Sequence, residues 1–199
     1  IPKPVADTLA KLVIRNRFDL ILHLPLRYED ETHLTPIHDA LTGTTVLVEG
    51  TVLTTEVMYR PRRQLVCQIE DASGILYMRF LNFYGSQVKQ LAQGARVRVL
   101  GEIRQGFFGA EMVHPKYRSI KNDAPLAESL TPIYPTTAGL QQPTLRKWIA
   151  EAMRVTELTD SLPDTLLKRL HLAQLKPSLA TLHFPTPDIP QQQLQERTH

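Results

Sequence analysis

Thr45-Val46-Leu47-Val48-Glu49-Gly50-Thr51-Val52 is the stretch that decides the fold. Val46, Val48, Gly50 and Val52 alternate with Thr45, Leu47, Glu49 and Thr51, and a period of two belongs to a strand with two unlike faces. Residues 55–59 extend it past a bend near Thr54. Arg60-Pro61-Arg62-Arg63 then reads as a hairpin tip, because proline cannot donate to a ladder. The return strand covers 65–70 and closes at the turn Asp71-Ala72-Ser73-Gly74. A third strand covers 75–82. Residues 86–91 suit a short helix stopped by Gly94, and 96–104 alternate again with Val97, Val99, Gly101 and Ile103 on one face. Gln105-Gly106-Phe107-Phe108-Gly109 is a hairpin turn from which 110–113 return. About five antiparallel strands with one helix between the third and fourth is the order of an OB-fold barrel. Gly50 and Gly101, inside strand patterns, mark bulges or tight bends. An antiparallel sandwich is the alternative, and the intervening helix argues for the barrel.

The flanks change period, so the expected class is mixed α and β, with a barrel between two helical segments. Residues 4–24 read as two short helices broken at Arg15-Asn16-Arg17 and ended at Leu24-Pro25. Residues 27–32 read as an irregular connector. Residues 143–156 open with proline and place Leu145, Trp148, Ile149 and Ala152 on one helical face. Two further proline-led helices follow, at 163–172 and 177–183. The Gln-rich run 191–195 is a helix start or a linker. The expected division is 1–43 helical, 44–121 barrel and 122–199 helical, and the chain reads as a piece of a longer protein.

Composition sets the class of chemistry. The chain has 199 residues, of which 42% are hydrophobic, with 23 Lys+Arg against 20 Asp+Glu. Folding at this length buries roughly 70% of the unfolded surface without a metal or disulfide staple. No apolar run approaches the roughly 18–20 residues of a spanning helix, and the one cysteine, Cys67, fits a reducing cytoplasm and a buried, inert thiol. Residues 44–121 carry 11 basic and 6 acidic side chains, while both flanks are slightly acidic. That excess points to an anionic partner or to a solvated basic face. No phosphate loop, dinucleotide fingerprint or nucleophile elbow is present. The 7 histidines are scattered, so neither a metal site nor a catalytic residue is expected.

What remains is arginine interleaved with aromatics. Arg60, Arg62 and Arg63 crowd one hairpin tip, Arg79 and Phe80 end a strand before Phe83 and Tyr84, Arg104 precedes Phe107 and Phe108, and Lys116-Tyr117-Arg118 follows the last strand. Nucleic-acid OB-folds combine guanidinium groups for phosphates with exposed rings for bases. Alternation puts Tyr77, Arg79 and Leu81 on one face and Met78, Phe80 and Asn82 on the other. Arg79 disfavours the core, so Phe80 is read as inward and Phe83 and Tyr84 as exposed. Phe107 and Phe108 flank a glycine turn that cannot easily bury two adjacent rings. The same pattern fits a generic single-strand-binding module or a protein-docking OB domain.

Longer stretches carry a resemblance. Leu22-His23-Leu24-Pro25-Leu26-Arg27-Tyr28-Glu29-Asp30, Met78-Arg79-Phe80-Leu81-Asn82-Phe83, Gly109-Ala110-Glu111-Met112-Val113-His114-Pro115-Lys116-Tyr117 and Leu130-Thr131-Pro132-Ile133-Tyr134-Pro135-Thr136-Thr137 resemble, in order, the wedge domain of the RecG branch-migration helicases. The resemblance implies a bacterial, cytoplasmic and nucleoid-associated DNA translocase. It would act as a monomer on stalled forks and Holliday junctions in repair and recombination. It further implies that the wedge holds branched DNA without catalysis or cofactor of its own, while helicase domains of the same chain use ATP and Mg2+. Phe80, Leu81, Phe83 and Tyr84 then stand where the family's junction-stacking segment lies, with Leu81 in place of a second Phe. Arg60, Arg62, Arg63, Arg79, Arg104, Lys116 and Arg118 are the implied phosphate contacts, and Phe107 and Phe108 are additional stacking candidates.

Overall fold

Alternating burial along one long strand organises the central part of the molecule. In the computed structural model, which describes residues 3–121, 124–190 and 193–194, the elements run α1 Lys3–Ala10, α2 Arg17–Ile21, β1 Arg27–Glu29, β2 Thr45–Met58, β3 Gln64–Glu70 and β4 Ile75–Phe80. They continue with α3 Gly85–Gln90, β5 Arg96–Glu102, β6 Arg104–Gly106, β7 Gly109–Val113 and β8 Lys116–Ser119. The last are β9 Thr131–Ile133, α4 Gln142–Val155, α5 Asp164–Arg169 and α6 Leu175–His183. They form two compact units, residues 30–127 and residues 1–29 with 128–199.

The first unit is a mixed-topology sheet of order β6-β7-β4-β3-β2-β5-β8. The first half of β2, Thr45 to Thr51, pairs with β5 and the second half, Thr51 to Met58, with β3, and a bulge between Val52 and Thr54 marks the change of partner. Most pairs are antiparallel, but β4 and β7 run parallel, Tyr77 opposite Glu111. Lys116 resumes the ladder directly after Pro115, as β8 against β5; the sequence pattern had ended at 113. β7 and β8 are therefore two halves of one kinked stretch that joins opposite sides of the sheet. This is the OB-type barrel arrangement. Its interior holds Val48, Val52, Leu65, Cys67, Ile69, Met78, Phe80 and Met112. Gly50 and Gly101 sit at close approaches: a Cβ on Gly50 would lie 2.7 Å from the Glu70 carbonyl oxygen, and one on Gly101 2.9 Å from Met112 Sδ. The Asp71 carboxylate accepts from the Ile37, Ser73 and Gly74 amides, tying the 3-10 turn Ile37–Asp39 to the β3–β4 turn. Partial burial works to raise this acid, and those hydrogen bonds outweigh it and hold it below its ordinary range.

The second unit joins the two ends of the described chain, which the sequence reading had set apart as 1–43 and 122–199. Arg27–Glu29, expected as an irregular connector, is a strand paired antiparallel with Thr131–Ile133. Three-residue strands are too short to show a period, and their partners lie about a hundred residues apart. α4 buries Leu145, Ile149, Ala152 and Met153 against Leu9, Ile14, Leu20 and Ile21, with Trp148 packed at the margin. Asn16 caps α2 by accepting from the Asp19 amide at 2.9 Å. Of the Gln-rich run, only Gln193 and Leu194 are among the described residues. A buried polar relay crosses this core. His183 Nε2–H donates to the Ile21 carbonyl at 2.7 Å, leaving Nδ1 to accept from the Tyr134 hydroxyl at 2.8 Å. Tyr28 donates to the Leu182 carbonyl, and burial pushes its hydroxyl up to about 12.

Two outcomes follow. Gly50→Ala should lower unfolding free energy by roughly 1–3 kcal/mol in denaturant titration, because the added methyl meets backbone that cannot retreat. Burial also pushes His183 below the ordinary value of 6.5, against the opposing pull of the Ile21 carbonyl. The denatured imidazole therefore takes up a proton that the native one refuses. Stability should fall as pH drops below about 6.5, until the native group itself protonates. Melting curves from pH 7.5 to 5 should show that slope, and His183→Gln should flatten it.

Candidate nucleic-acid interface

Register across β2, β3 and β4 brings two predicted clusters together. Leu65 stands opposite Phe80, so the tip that carries Arg60, Arg62 and Arg63 lies beside the segment leaving β4. Arg63 places its guanidinium carbon 4.5 Å from the centre of the Phe83 ring, a cation–π contact between the two loops. Tyr84 is 80% exposed, while Leu81 and Phe83 are half-buried. The backbone here is pinned at both ends. The Leu81 amide donates to His114 Nε2 at 3.2 Å, and the Tyr84 amide to Gln87 Oε1 at 2.9 Å.

Phe80 does not belong to the exposed group. It is 3% exposed, edge-on to Tyr117 and His114 in the barrel interior, and no base can reach it. Alternation explains this, since Leu76, Met78 and Phe80 share the inward face. Arg79, on the outward face, is likewise committed: its guanidinium pairs with Glu111 at 2.6 Å across the parallel β4–β7 ladder. A phosphate there would have to displace a half-buried carboxylate.

The other candidates lie elsewhere on the barrel. Phe107 is 90% exposed at the β6–β7 turn, edge-on to Phe108, which stacks on Tyr77 with ring centres 5.6 Å apart. Phe108 and Tyr77 wall a groove of about 180 Å³ over the outer face of β2, β3 and β4. Arg104 faces Glu102 at 3.3 Å, both exposed. Lys116 and Arg118 line a separate groove of about 100 Å³ with Glu31 and Arg98. Arg98 itself is 5% exposed and held by Glu49 at 2.6 Å and by the Ala124 and Pro125 carbonyls. Partial burial works to raise Glu49, and hydrogen bonds from Arg98 and Arg96 overcome it and hold the carboxyl below its usual range. Cys67 is fully buried, and burial pushes its thiol up, away from reactivity. Among the described residues no three His, Cys, Asp or Glu side chains converge to hold a metal ion, and no helix is long and apolar enough to cross a membrane.

His114 is the residue that sequence reasoning missed. Its left-handed backbone, φ 50°, turns the chain between β7 and β8 and aims the imidazole back at Leu81. The dipeptide His114-Pro115 carries the signal, because proline after a polar residue marks a break where the chain can kink.

Comparison with known proteins places this geometry. The family model described as RecG wedge domain matches residues 3–156. The protein named ATP-dependent DNA helicase RecG from Escherichia coli strain K12 is 43% identical over 201 residues, covering 98% of this chain and 29% of the relative. Its namesake from Pasteurella multocida strain Pm70 is 40% identical over 200 residues, with the same coverage. The chain thus spans under a third of the length of these curated relatives. A solved structure of RecG bound to a three-way DNA junction superposes with a TM-score of 0.71 at 22% identity, over 100% of this chain and 27% of that one. At that identity the likeness establishes the fold.

The pinning of residues 81–84 is directly measurable. His114→Ala removes the acceptor for the Leu81 amide, and hydrogen exchange should accelerate at Leu81 while β2 and β3 stay protected. The expected cost is about 1 kcal/mol of stability. Unchanged exchange at Leu81 would show that His114 does not hold this segment.

Proposed function

The chain belongs to the RecG wedge domain family, and we propose that it binds branched DNA at the branch point and holds the separated strands apart. The observation that carries this reading is the junction of the tip arginines with the apolar segment 81–84, clasped by Arg63 over Phe83. Rings and cations at one edge of a rigid barrel suit a position where a base pair ends and two phosphate backbones diverge.

In this mechanism Leu81, Phe83 and Tyr84 cover the last base pair. Leu81 and Phe83 are half-buried, so they present an apolar edge that does not collapse, while Tyr84 supplies an open face for a base. Arg60 and Arg62 hold backbone phosphates and are indifferent to sequence. Arg63 does both jobs, since its position over Phe83 leaves N–H groups for a phosphate. Arg104, Lys116 and Arg118 contact more distant phosphates. The wedge does no chemistry itself. Helicase domains of the longer protein would hydrolyse ATP with Mg2+ and pull duplex onto the wedge, which fits remodelling of stalled forks and Holliday junctions by one copy acting on bacterial DNA.

Fluorescence anisotropy with a fork, a single strand and a duplex of one sequence, across a salt series, tests the reading. The fork should bind tightest. Replacing Leu81, Phe83 and Tyr84 by Ala should reduce its advantage over duplex about tenfold or more, since each lost stack costs about 1–3 kcal/mol. Arg60→Ala with Arg62→Ala should instead weaken all three and flatten the log–log salt slope by about 1.5. Equal affinity for fork and single strand would reduce the chain to a generic single-strand-binding module, and no binding at low salt would overturn the reading.

A further inference from the structure

We propose that the groove on the outer face of β2, β3 and β4 is a subsite for one unpaired nucleobase, recognised through an exocyclic amino group that donates to Glu56. The proposal rests on the reading that this chain binds branched DNA. It adds a place where one separated strand is held, and a preference among bases that the junction cluster does not supply.

Two rings, Tyr77 and Phe108, form one wall, and Phe107 buttresses Phe108 from outside the groove. Phe107 stands edge-on to Phe108 with centres 5.0 Å apart, and Phe108 stacks on Tyr77 at 5.6 Å with 26° between planes. The β6–β7 hairpin that carries the two phenylalanines is fixed to β4 by the parallel pairing of Tyr77 with Glu111. These rings are therefore held in place, and Phe107 stays 90% exposed at a cost that a partner would relieve.

The floor and far wall have a different chemistry. Met58 and Val66 offer an apolar surface, and Thr54, Glu56 and Gln68 offer hydrogen-bonding groups along the same outward face. Glu56 is exposed and has no ion pair among the described residues, unlike Glu49, Glu102 and Glu111. A carboxylate accepts only, so this groove repels a phosphate and attracts a donor. Its volume of about 180 Å³ suits one planar base and not a stacked pair. Cytosine and adenine present an amino group where thymine presents a carbonyl oxygen. A base with an amino edge is thus the occupant whose charge and shape match. The groove also leads to the junction cluster, because Met58 ends β2 and the chain passes through exposed Tyr59 to Arg60.

The experiment uses forks that differ only in a single-stranded arm of oligo-dC or oligo-dT. Both pyrimidines stack weakly on their neighbours, so the comparison reads the hydrogen-bonding edge. The dC arm should bind roughly three- to tenfold tighter, the ratio one hydrogen bond supports. Glu56→Gln should abolish that ratio by weakening the dC arm alone, leaving the dT-armed fork's advantage over duplex as it was, and Phe108→Ala should weaken both arms. With 5-iodocytosine in the arm, photocrosslinks should map to Tyr77 or Phe108. Equal binding of the two arms, a ratio that survives Glu56→Gln, or crosslinks confined to Phe83 and Tyr84 would each overturn the subsite. Failure of the underlying reading looks different: forks of either composition would bind no tighter than duplex.

Discussion

One kink holds this barrel together. Between β7 and β8 the chain turns at His114 and Pro115, and the two halves of a single stretch pair with β4 on one side and β5 on the other. Three features converge on that turn. Proline interrupts the ladder where an amide would have no partner. Gly101 makes room, since a Cβ there would meet Met112 Sδ at 2.9 Å and the Pro115 Cβ at 3.2 Å. The left-handed backbone of His114 sends its ring to Leu81. The turn that connects the sides of the sheet therefore also fixes, through His114, the backbone of segment 81–84. A rigid core and a rigid edge have one origin.

Charge on this unit cannot be read by counting. The excess of basic residues in 44–121 is concentrated in sequence, but much of it is spent internally. Arg96 and Arg98 converge on Glu49, Arg79 on Glu111, and Arg104 lies by Glu102. Arg98 is structural outright, because removing a partner from a buried pair strands the other charge, typically at about 3–5 kcal/mol. Of the arginines facing solvent, Arg60, Arg62 and Arg63 are crowded at the β2–β3 tip, with Arg118 apart by the Lys116 groove, so folding concentrates a diffuse positive segment mainly at one edge. Electrostatic attraction then acts beside Leu81, Phe83 and Tyr84.

The period-two pattern was sufficient for β2 to β5, their connecting turns and α3, because each strand buries one face and short-range alternation records that burial. It also placed Phe80 inward from the presence of Arg79 next door. Other features were invisible for definite reasons. β1 and β9 are three residues each, and their pairing is set by packing in the helical unit, not by local propensity. β8 follows a proline, which local rules treat as a stop. The Arg79–Glu111 pair depends on a parallel register between strands 32 residues apart. The candidate site was readable as a set of residue types. Its division into a tip cluster, a ring-walled groove and a committed ion pair required the register.

That division bears on how a wedge can work. The two ring clusters meet β4 at different points, roughly four residues or 13 Å apart along the strand. Phe108 stacks on Tyr77 in the middle of the strand, and Leu81 to Tyr84 leave from its end. A strand peeled from the duplex at residues 81–84 would re-pair with its complement unless it were held some distance away. A second contact on the same rigid strand, at the groove proposed above, would oppose that return without a moving part, since both contacts would share one backbone ladder. The exposure of Phe107 and Tyr84 then has a common physical reason. Each ring is held at a turn or helix start where the backbone is hydrogen-bonded and the side chain has no protein surface to cover it. The fold forgoes their burial and keeps two rings at fixed, solvent-facing positions.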